Sequence, residues 1–242
     1  MRLSRVFTAQ ALSADALVEL EGPARHYLVR VLRVSKGDPL TLFNGDGKDY
    51  IGQVSELQRL AVQVQILSTR EPGNESALKI TLVQAISRGE RMDYSLQKAT
   101  ELGVARIQPI TSSRVEVRLD EKRAGKRLAH WRAVVVSACE QSGRAMVPGV
   151  GAPMSLGEWL SGLGESQCLV LDPLAQKSLT TLSIQGDTVS LLVGPEGGFS
   201  EQEISQVCSA GVVAVSLGPR VLRTETAGPA ALTLLQSMAG DF

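Results

Sequence analysis

The chain has 242 residues, of which 43% are hydrophobic and 21% charged, with a formal net charge of zero at pH 7. This composition is ordinary for a globular protein of one or two domains, and it gives no global field that would attract nucleic acid or a membrane. No apolar run approaches the roughly 20 residues that span a bilayer, and the first ten residues, MRLSRVFTAQ, lack the apolar core of a signal peptide. We therefore expect a cytoplasmic protein.

The charges are distributed unevenly along the chain. Residues 1–144 contain 22 Lys and Arg against 16 Asp and Glu, whereas residues 145–242 contain 3 against 9. This asymmetry indicates a front half that binds a polyanion and a back half with a different task.

The cysteine and histidine contents argue against a metal site and against a disulfide framework. The three cysteines, Cys139, Cys168 and Cys208, are odd in number and form no CxxC pattern, which fits a reducing cytosol. The two histidines, His26 and His130, are too few for a metal cluster. We expect no bound metal.

Residues 1–70 are predicted to form a small β-barrel with one helix. The segment DPLTLFNGDGKDYIGQV has the pattern of a hairpin that turns between Asn44 and Gly47, and RLAVQVQILST alternates as a half-buried strand does. The segment PARHYLVRVLR is predicted to be a helix that begins near Pro23. His26 on this helix is expected to be a surface histidine without a catalytic role.

The polar segment TREPGNESA, residues 69–77, reads as a linker, and strand-like and helical patterns alternate after it. The longest helical pattern runs from Asp120 to Gly143, and Ser200 stands three residues before Glu203 as in a capping box. The alternation predicts an α/β fold with a mostly parallel sheet covered on both faces. In such sheets ligands bind beyond the carboxyl ends of the strands.

Two glycine-rich turns follow strand-like runs near the end of the chain. They are LVGPEGGFSEQE, residues 192–203, and LGPRVLRTETAG, residues 217–228. Glycine adopts conformations closed to other residues and lets a flat ligand approach main-chain groups. Two turns with charged residues placed alike favour a ligand site over simple strand-to-helix turns. The patterns GxxxxGK[ST] and GxGxxG are absent, which disfavours nucleoside triphosphates and dinucleotides.

These motifs resemble those of a known family. Together with SRGERMDYSLQKATELGV, ACEQSGR and YLVRVLRVSKGDPLTLFNGDG, the two turns closely resemble the RsmE family, the 16S ribosomal RNA (uracil-N3)-methyltransferases of the SPOUT class. The resemblance covers nearly the whole chain. Gly228 before Pro229, and Asp93, depart from the residues common in relatives, and neither departure touches the central motif.

The resemblance implies a fold, a cofactor and an assembly. The fold would be a PUA-like β-barrel RNA-binding domain over residues 1–70, followed over residues 71–242 by a SPOUT methyltransferase domain with a C-terminal trefoil knot. The protein would be a homodimer that binds S-adenosylmethionine in the knotted loops. The cofactor-binding residues would be Leu192, Gly194, Gly197, Gly198, Leu217, Gly218, Leu222 and Thr224.

Methylation of uridine at N3 requires removal of the N3 proton or stabilisation of the resulting anion. Arg223 is the candidate for the positive charge, Glu196 and Glu225 are candidate bases, and Asp172 is a third. Each has a plainer interpretation. Glu225 would favour the N-terminus of the last helix through its dipole, Asp172 would be a turn residue, and Arg223 would pair with one of the acids.

An RNA substrate requires cations along the path of its phosphates. For each candidate the alternative is a solvated surface charge, and Glu101 and Glu140 are expected to pair with neighbouring basic residues. The target implied by the family is uridine 1498 of 16S ribosomal RNA, as free RNA or in the small ribosomal subunit. The candidate RNA-binding residues are Arg2, Arg5, Arg30, Arg33, Arg88, Arg91, Lys98 and Arg144.

Three other functions stay open at this point. The chain is then a non-catalytic ribosomal-RNA-binding or assembly factor, a SPOUT methyltransferase of another RNA, or an enzyme of a small metabolite, which leaves the basic barrel without a purpose. The apolar closing helix, with Leu232, Leu234, Leu235 and Met238, would either cover the sheet or meet a partner.

Overall fold

The computed structural model describes residues 4–115 and 121–242. Contacts between Cα atoms divide the chain into two units, each built on its own sheet. The first unit comprises Met1–Glu75 and Val136–Val147, and the second comprises Ser76–Val135 and Pro148–Phe242. The domain boundary predicted after residue 70 stays a prediction.

The first unit contains a five-stranded sheet among its described residues, in the order β1-β3-β4-β5-β2. β1 runs parallel to β3, and the other neighbours are antiparallel. On β5 the side chains of Val62, Val64 and Ile66 are fully buried, which confirms the alternation predicted from the sequence. The small β-domain expected for this part of the chain is therefore present. Its strands are β1 (Ser4–Phe7), β2 (Leu17–Leu20), β3 (Pro39–Phe43), β4 (Asp49–Leu57) and β5 (Val62–Arg70).

The predicted helix of the first unit is present in two parts. α1 (Gly22–His26) has Pro23 in its first turn and continues into a π-helical segment, Tyr27–Leu32. Leu28 is fully buried against the sheet. Arg33 ends the segment in the left-handed conformation, with φ of 53°. The side chains of Arg30 and Arg33 are exposed to solvent.

A buried network of charges holds the first unit together. The Arg5 guanidinium pairs with Asp49, which is fully buried, and Asp49 also pairs with Arg70 at 3.1 Å. Arg5 donates a second hydrogen bond to the carbonyl of Arg144. The Arg144 side chain, only 5% exposed, pairs with Glu75 at 2.6 Å. The prediction that Arg5 and Arg144 contact RNA phosphates is therefore corrected, because both guanidinium groups are buried and already paired.

The second unit contains a seven-stranded sheet within the described part of the chain. Its strand order is β12-β10-β11-β6-β7-β8, β9 pairs with β7, and the paired strands are parallel. The predicted α/β fold with a mostly parallel sheet is confirmed. The strands are β6 (Lys79–Ala85), β7 (Arg106–Thr111), β8 (Gly149–Val150), β9 (Met154–Ser155), β10 (Gln167–Leu171), β11 (Thr188–Val193) and β12 (Val213–Val215).

Helices cover both faces of this sheet. Successive side chains of a strand point to opposite faces, so neighbouring residues of β6 contact different helices. Val83 and Ala85 of β6 pack with residues of α4 and α5, whereas Leu82 and Gln84 face Gly228 of α6. The helices that belong wholly or mostly to the second unit are α2 (Glu90–Glu101), α3 (Glu121–Ser142), α4 (Leu156–Ser161), the 3₁₀ turn Leu179–Thr181, α5 (Glu201–Ser209) and α6 (Thr224–Ala239). The last residues of α3 belong to the first unit.

Two details of these helices were predicted. Ser200 and Glu203 form the capping box of α5, with the Ser200 hydroxyl accepting the Glu203 N–H at 3.2 Å. Leu232 and Leu235 on α6 are fully buried, so this part of the closing helix covers the sheet of its own chain. Within the described residues, no helix is both long and apolar enough to cross a membrane. The predicted trefoil knot stays a prediction.

Replacing Asp49 by alanine is expected to destabilise the protein strongly, because Arg5 would become a buried charge without its partner. The free energy of unfolding should fall by about 3–5 kcal/mol, measured by urea or thermal unfolding. Glu101→Ala is the control, since it breaks the partly exposed Lys98–Glu101 pair at a cost below about 1 kcal/mol. Equal losses in the two variants would contradict the structural role of Asp49.

Candidate ligand site at the carboxyl ends of the strands

A cavity of about 370 Å³ lies beyond the carboxyl ends of β10, β11 and β12. The segments that follow these three neighbouring strands supply most of its lining. Leu171 ends β10, Asp172 to Leu174 follow it, and residues of both glycine-rich turns contribute to the lining. Parallel α/β sheets bind ligands at this edge. The cavity therefore lies at the edge of the sheet where the sequence pattern predicts a ligand site.

Most of the predicted cofactor-binding residues line this cavity, and two do not. Leu192 is fully buried in the apolar core on one face of the sheet. Gly197 is turned toward Arg114, whose side chain lies 3.5 Å from the position a Cβ would take. These two residues support the turn without facing the cavity. The predicted residues in the lining are Gly194, Gly198, Leu217, Gly218, Leu222 and Thr224.

A hydrogen bond from Thr224 joins the two glycine-rich turns. The Thr224 hydroxyl donates to the carbonyl of Gly194 at 2.7 Å and accepts a hydrogen bond from the Gln84 side-chain amide at 3.1 Å. Thr224 is the first residue of α6, and Gln84 lies on β6. The turns therefore meet at one cavity, although 30 residues separate Gly194 from Thr224.

Glycine is required at particular positions in these turns. A Cβ on Gly194 would lie 3.2 Å from the ring of Phe199, so the turn closes on this aromatic side chain. Gly198 and Gly218 have φ values of 67° and 102°, in the region that residues with a Cβ rarely adopt. The backbone is therefore exposed to the cavity at these positions with no side chain in the way.

Glu196 lines the cavity, and its carboxylate already has partners. One oxygen accepts the backbone N–H of Arg88 at 3.1 Å and the Arg91 guanidinium at 3.2 Å. Burial raises the pKa of Glu196, but the hydrogen bonds from Arg88, its own N–H and Arg91, with the Arg91 charge, outweigh burial and lower the pKa. A carboxylate held ionised in this way is a weak proton acceptor.

Glu225 differs from Glu196 in its pairing. Its side chain is 18% exposed, and its Oε1 atom lies 3.9 Å from Nε of Arg91. Its Oε2 atom is buried without a hydrogen-bond partner among the described residues. The carboxylate therefore retains an acceptor that the fold does not use. Glu225 lies in the first turn of α6, where its negative charge can also stabilise the N-terminus of the helix, as its alternative interpretation predicted.

The other two candidates for chemistry have structural tasks. Asp172 lines the cavity, but its Oδ1 atom accepts the backbone N–H of Leu174 at 3.0 Å, so it also stabilises the turn, as expected. Arg223 is exposed and caps α6, its carbonyl accepting the N–H groups of Thr226 and Ala227. Among the described residues, neither Arg223 nor Glu225 belongs to the cavity lining.

Sequence reasoning missed three polar residues of this site. Arg114 donates to the carbonyl of Gly197 at 2.8 Å, Gln84 supports Thr224, and Arg220 belongs to the lining. Two signals were available. Gln84 is a polar residue at the end of the apolar strand LKITLVQA, and Arg114 follows the end of the next strand along the sheet.

The remaining predicted RNA-binding cations differ in how far their side chains are exposed. Arg30 and Arg33 are exposed in the first unit and Arg88 in the second. Arg91 is 45% exposed while it pairs with Glu196, and Lys98 pairs with Glu101 at 2.8 Å. That pair confirms the expectation for Glu101, whereas Glu140 accepts the N–H of Phe7 instead. His26 is exposed as predicted. Arg2 lies outside the described residues.

Comparison with known proteins identifies the class of this protein. Residues 74–236 match the family model of an RNA methyltransferase domain. Residues 20–67 match the family model of an RNA methyltransferase PUA domain. The fold is therefore that of an RNA methyltransferase.

Whole-length relatives define the family more narrowly. The ribosomal RNA small subunit methyltransferase E of Buchnera aphidicola (from Schizaphis graminum) is 34% identical over 242 residues, which covers all of this chain and 98% of the relative. The enzyme of the same name from Bacillus subtilis is 27% identical, and the match covers 94% of this chain and 93% of the relative. The chain belongs to the ribosomal RNA small subunit methyltransferase E family.

Two solved structures have the same fold over their whole length. The Legionella pneumophila protein Lpg2936, solved with the bound cofactor SAM, has a TM-score of 0.97 and 40% identity, with both chains covered completely. The ribosomal RNA small subunit methyltransferase E of Neisseria gonorrhoeae, bound to S-adenosyl methionine, has a TM-score of 0.94, 40% identity and the same complete coverage. The predicted family is therefore confirmed.

The Glu203 carboxylate predicts how stability depends on pH. Burial raises its pKa, but hydrogen bonds from the N–H and hydroxyl groups of Ser113 and Ser200 outweigh burial and lower the pKa below the usual range of a glutamate. A carboxyl with a lowered pKa in the folded state stabilises that state above its unfolded pKa, and this contribution is lost as pH falls through the folded pKa.

We expect Glu203→Gln to be less stable than the wild type at pH 7 and the difference between them to shrink below about pH 4.5. The free energy of unfolding, measured by urea unfolding between pH 3 and pH 7, tests this. Glu201→Gln on the same helix is the control, because Glu201 is exposed. A difference between wild type and Glu203→Gln that does not change with pH would contradict the assignment.

Proposed function

We propose that this chain transfers a methyl group from S-adenosylmethionine to N3 of a uridine in 16S ribosomal RNA, at the family target uridine 1498. The observation that carries the proposal is the cavity at which the two glycine-rich turns meet. Support comes from membership of a family whose solved relatives hold this cofactor. RNA modification is what the family name states for the curated relatives.

The residues of the cavity fit this cofactor. Its volume of about 370 Å³ lies within the range of about 300–1,000 Å³ that is usual for small-molecule sites. Leu217 and Leu222 offer apolar contact for an adenine ring, and the backbone at Gly218 is open to hydrogen bonding. The carboxylates of Asp172 and Glu196 in the lining would attract the positively charged sulfonium and ammonium groups of the cofactor. When bound, the cofactor supplies an electrophilic methyl group.

Of the two candidate bases, the structure favours Glu225 over Glu196. The Glu196 carboxylate is occupied by Arg88 and Arg91 and has a lowered pKa, so it would hold the cofactor side of the cavity. The Glu225 side chain is 18% exposed, and among the described residues its carboxylate has only the 3.9 Å contact with Arg91, so it is less saturated than that of Glu196. In this proposal Glu225 accepts the N3 proton of the uridine, which makes N3 a nucleophile.

Two arginine side chains, Arg223 and Arg91, would stabilise the uracil anion that forms. Arg223 is exposed two residues before Glu225, at the N-terminus of α6. Arg91 lies 3.9 Å from Glu225 and is 45% exposed, so a substrate can reach it. Positive charge at the point where negative charge develops lowers the barrier of such a transfer. We assign this role to Arg223, with Arg91 beside it.

The RNA itself would be held by cations that are exposed or partly exposed. These cations would contact phosphates, which gives affinity that weakens with salt. The target base would have to leave its stack, as bases do in other enzymes that modify them. A homodimer acting on the small ribosomal subunit is part of this proposal. The cations are Arg30, Arg33, Arg88, Arg91 and Lys98.

The proposed reaction is tested in cells that lack the gene. Mass spectrometry of nucleosides from purified 16S ribosomal RNA should show that N3-methyluridine is lost on deletion and restored by a plasmid carrying the wild-type gene. Fragment mapping should place the restored methyl group at uridine 1498. N3-methyluridine that persists in the deletion strain would contradict the proposal and favour an assembly factor or another RNA target.

The assignment of the base predicts different kinetics for two variants. Glu225→Gln should lower the single-turnover rate at saturating cofactor and RNA by about 100-fold or more, the usual effect of removing a general base. Glu196→Gln should retain that rate within about tenfold and lose affinity for the cofactor instead. Glu201→Gln, an exposed carboxylate on α5, is the control. The opposite pattern would assign the proton transfer to Glu196.

A further inference from the structure

Gln84 is a fully buried amide at the end of an apolar strand. Its neighbours Leu82, Val83 and Ala85 on β6 are fully buried as well. Placing an amide there costs free energy unless its groups are paired, and an apolar side chain would fit this strand better. The stability of the sheet therefore does not explain a glutamine at this position, and another role has to account for it.

The hydrogen bonds of Gln84 lead to the cavity. Its Nε2 atom donates to the Thr224 hydroxyl at 3.1 Å and to the carbonyl of Ala85 at 3.0 Å. A hydroxyl has one proton and can accept hydrogen bonds as well. Because Thr224 accepts from Gln84, its own proton is directed to the carbonyl of Gly194 at 2.7 Å. The amide of Gln84 therefore determines which way the Thr224 hydroxyl points.

Gln84 acts on the site only through Thr224. Thr224 and Gly194 line the cavity, and Gln84 does not. The amide, the hydroxyl and the carbonyl form a chain of hydrogen bonds that is buried at Gln84 and partly buried at Gly194, and such bonds polarise one another. The chain holds the first residue of α6 to the first glycine-rich turn. If the hydroxyl turned away, Gly194 would lose its partner and the two turns would be free to separate.

We propose that Gln84 is a positioning residue of the cofactor site, which fixes the orientation of the Thr224 hydroxyl and so holds the two turns at the separation that the cofactor needs. This rests on the proposed function, since it assumes that S-adenosylmethionine binds in the cavity. Gln84 has no contact with the reacting atoms. Its loss should therefore weaken cofactor binding and leave the rate of the bound enzyme almost unchanged.

The chain offers a matched control on the neighbouring strand. Gln108 on β7 is also buried, and its Nε2 atom donates to the carbonyl of the next residue, Pro109, as that of Gln84 does to Ala85. Its second hydrogen bond goes to the carbonyl of Ala152, which does not line the cavity. Replacing either glutamine removes a buried amide from the same sheet, but only Gln84 is linked to the cavity.

The test compares cofactor binding by the full-length variants. Isothermal titration calorimetry with S-adenosylmethionine should show about tenfold weaker binding for Gln84→Met, the effect of one lost buried hydrogen bond, and unchanged binding for Gln108→Met. Gln84→Asn is a second variant, whose amide is one methylene group too short to reach Thr224. In single-turnover assays at saturating cofactor, both Gln84 variants should keep the wild-type rate within about threefold.

A double-mutant cycle with Thr224→Val shows whether Gln84 acts through Thr224. Once the hydroxyl is absent, Gln84→Met should cause no further loss of affinity. Equal affinity of wild type, Gln84→Met and Gln84→Asn would overturn the inference and leave the proposed function intact, as would additive losses in the double variant. Absence of binding by the wild type would instead overturn the proposed function, and the inference with it.

Discussion

The hydrogen bond between the Thr224 hydroxyl and the Gly194 carbonyl is the interaction on which the site depends. It spans 30 residues of chain and joins the beginning of α6 to the turn that follows β11. Both residues line the cavity, so the bond determines how far apart the two walls stand. Glycine at 194, 198 and 218 then keeps side chains off the backbone that faces the ligand.

The same hydrogen bond lies beside two glutamates, Glu196 and Glu225, to which we assign different roles. Glu196 lies in the turn that Thr224 holds, and backbone and guanidinium donors keep it ionised. Glu225 follows Thr224 directly on α6, where one of its oxygens lacks a partner among the described residues. A carboxylate that is saturated suits a binding role, whereas one with a spare acceptor suits proton transfer. Arg91 lies between them and balances both charges.

Much of the fold could be predicted because it follows from local patterns. The alternation on β5 and the capping box of Ser200 depend on residues close in sequence. The roles of Arg5 and Gln84 could not be read in this way, because their partners are 44 and 140 residues away. A basic residue in a positive half of the chain indicated a surface cation, yet Asp49 draws Arg5 into the interior. The glycine pattern indicated the cavity but not the hydroxyl that closes it.

A crystal structure of the protein with S-adenosylhomocysteine, the product of the proposed transfer, tests the central claim most directly. The account predicts ligand density in the cavity between the two glycine-rich turns, with the Thr224 hydroxyl still within hydrogen-bond distance of the Gly194 carbonyl. Ligand density at another place on the chain would contradict it. So would a bound ligand beside turns that have moved apart with the Thr224 hydrogen bond broken.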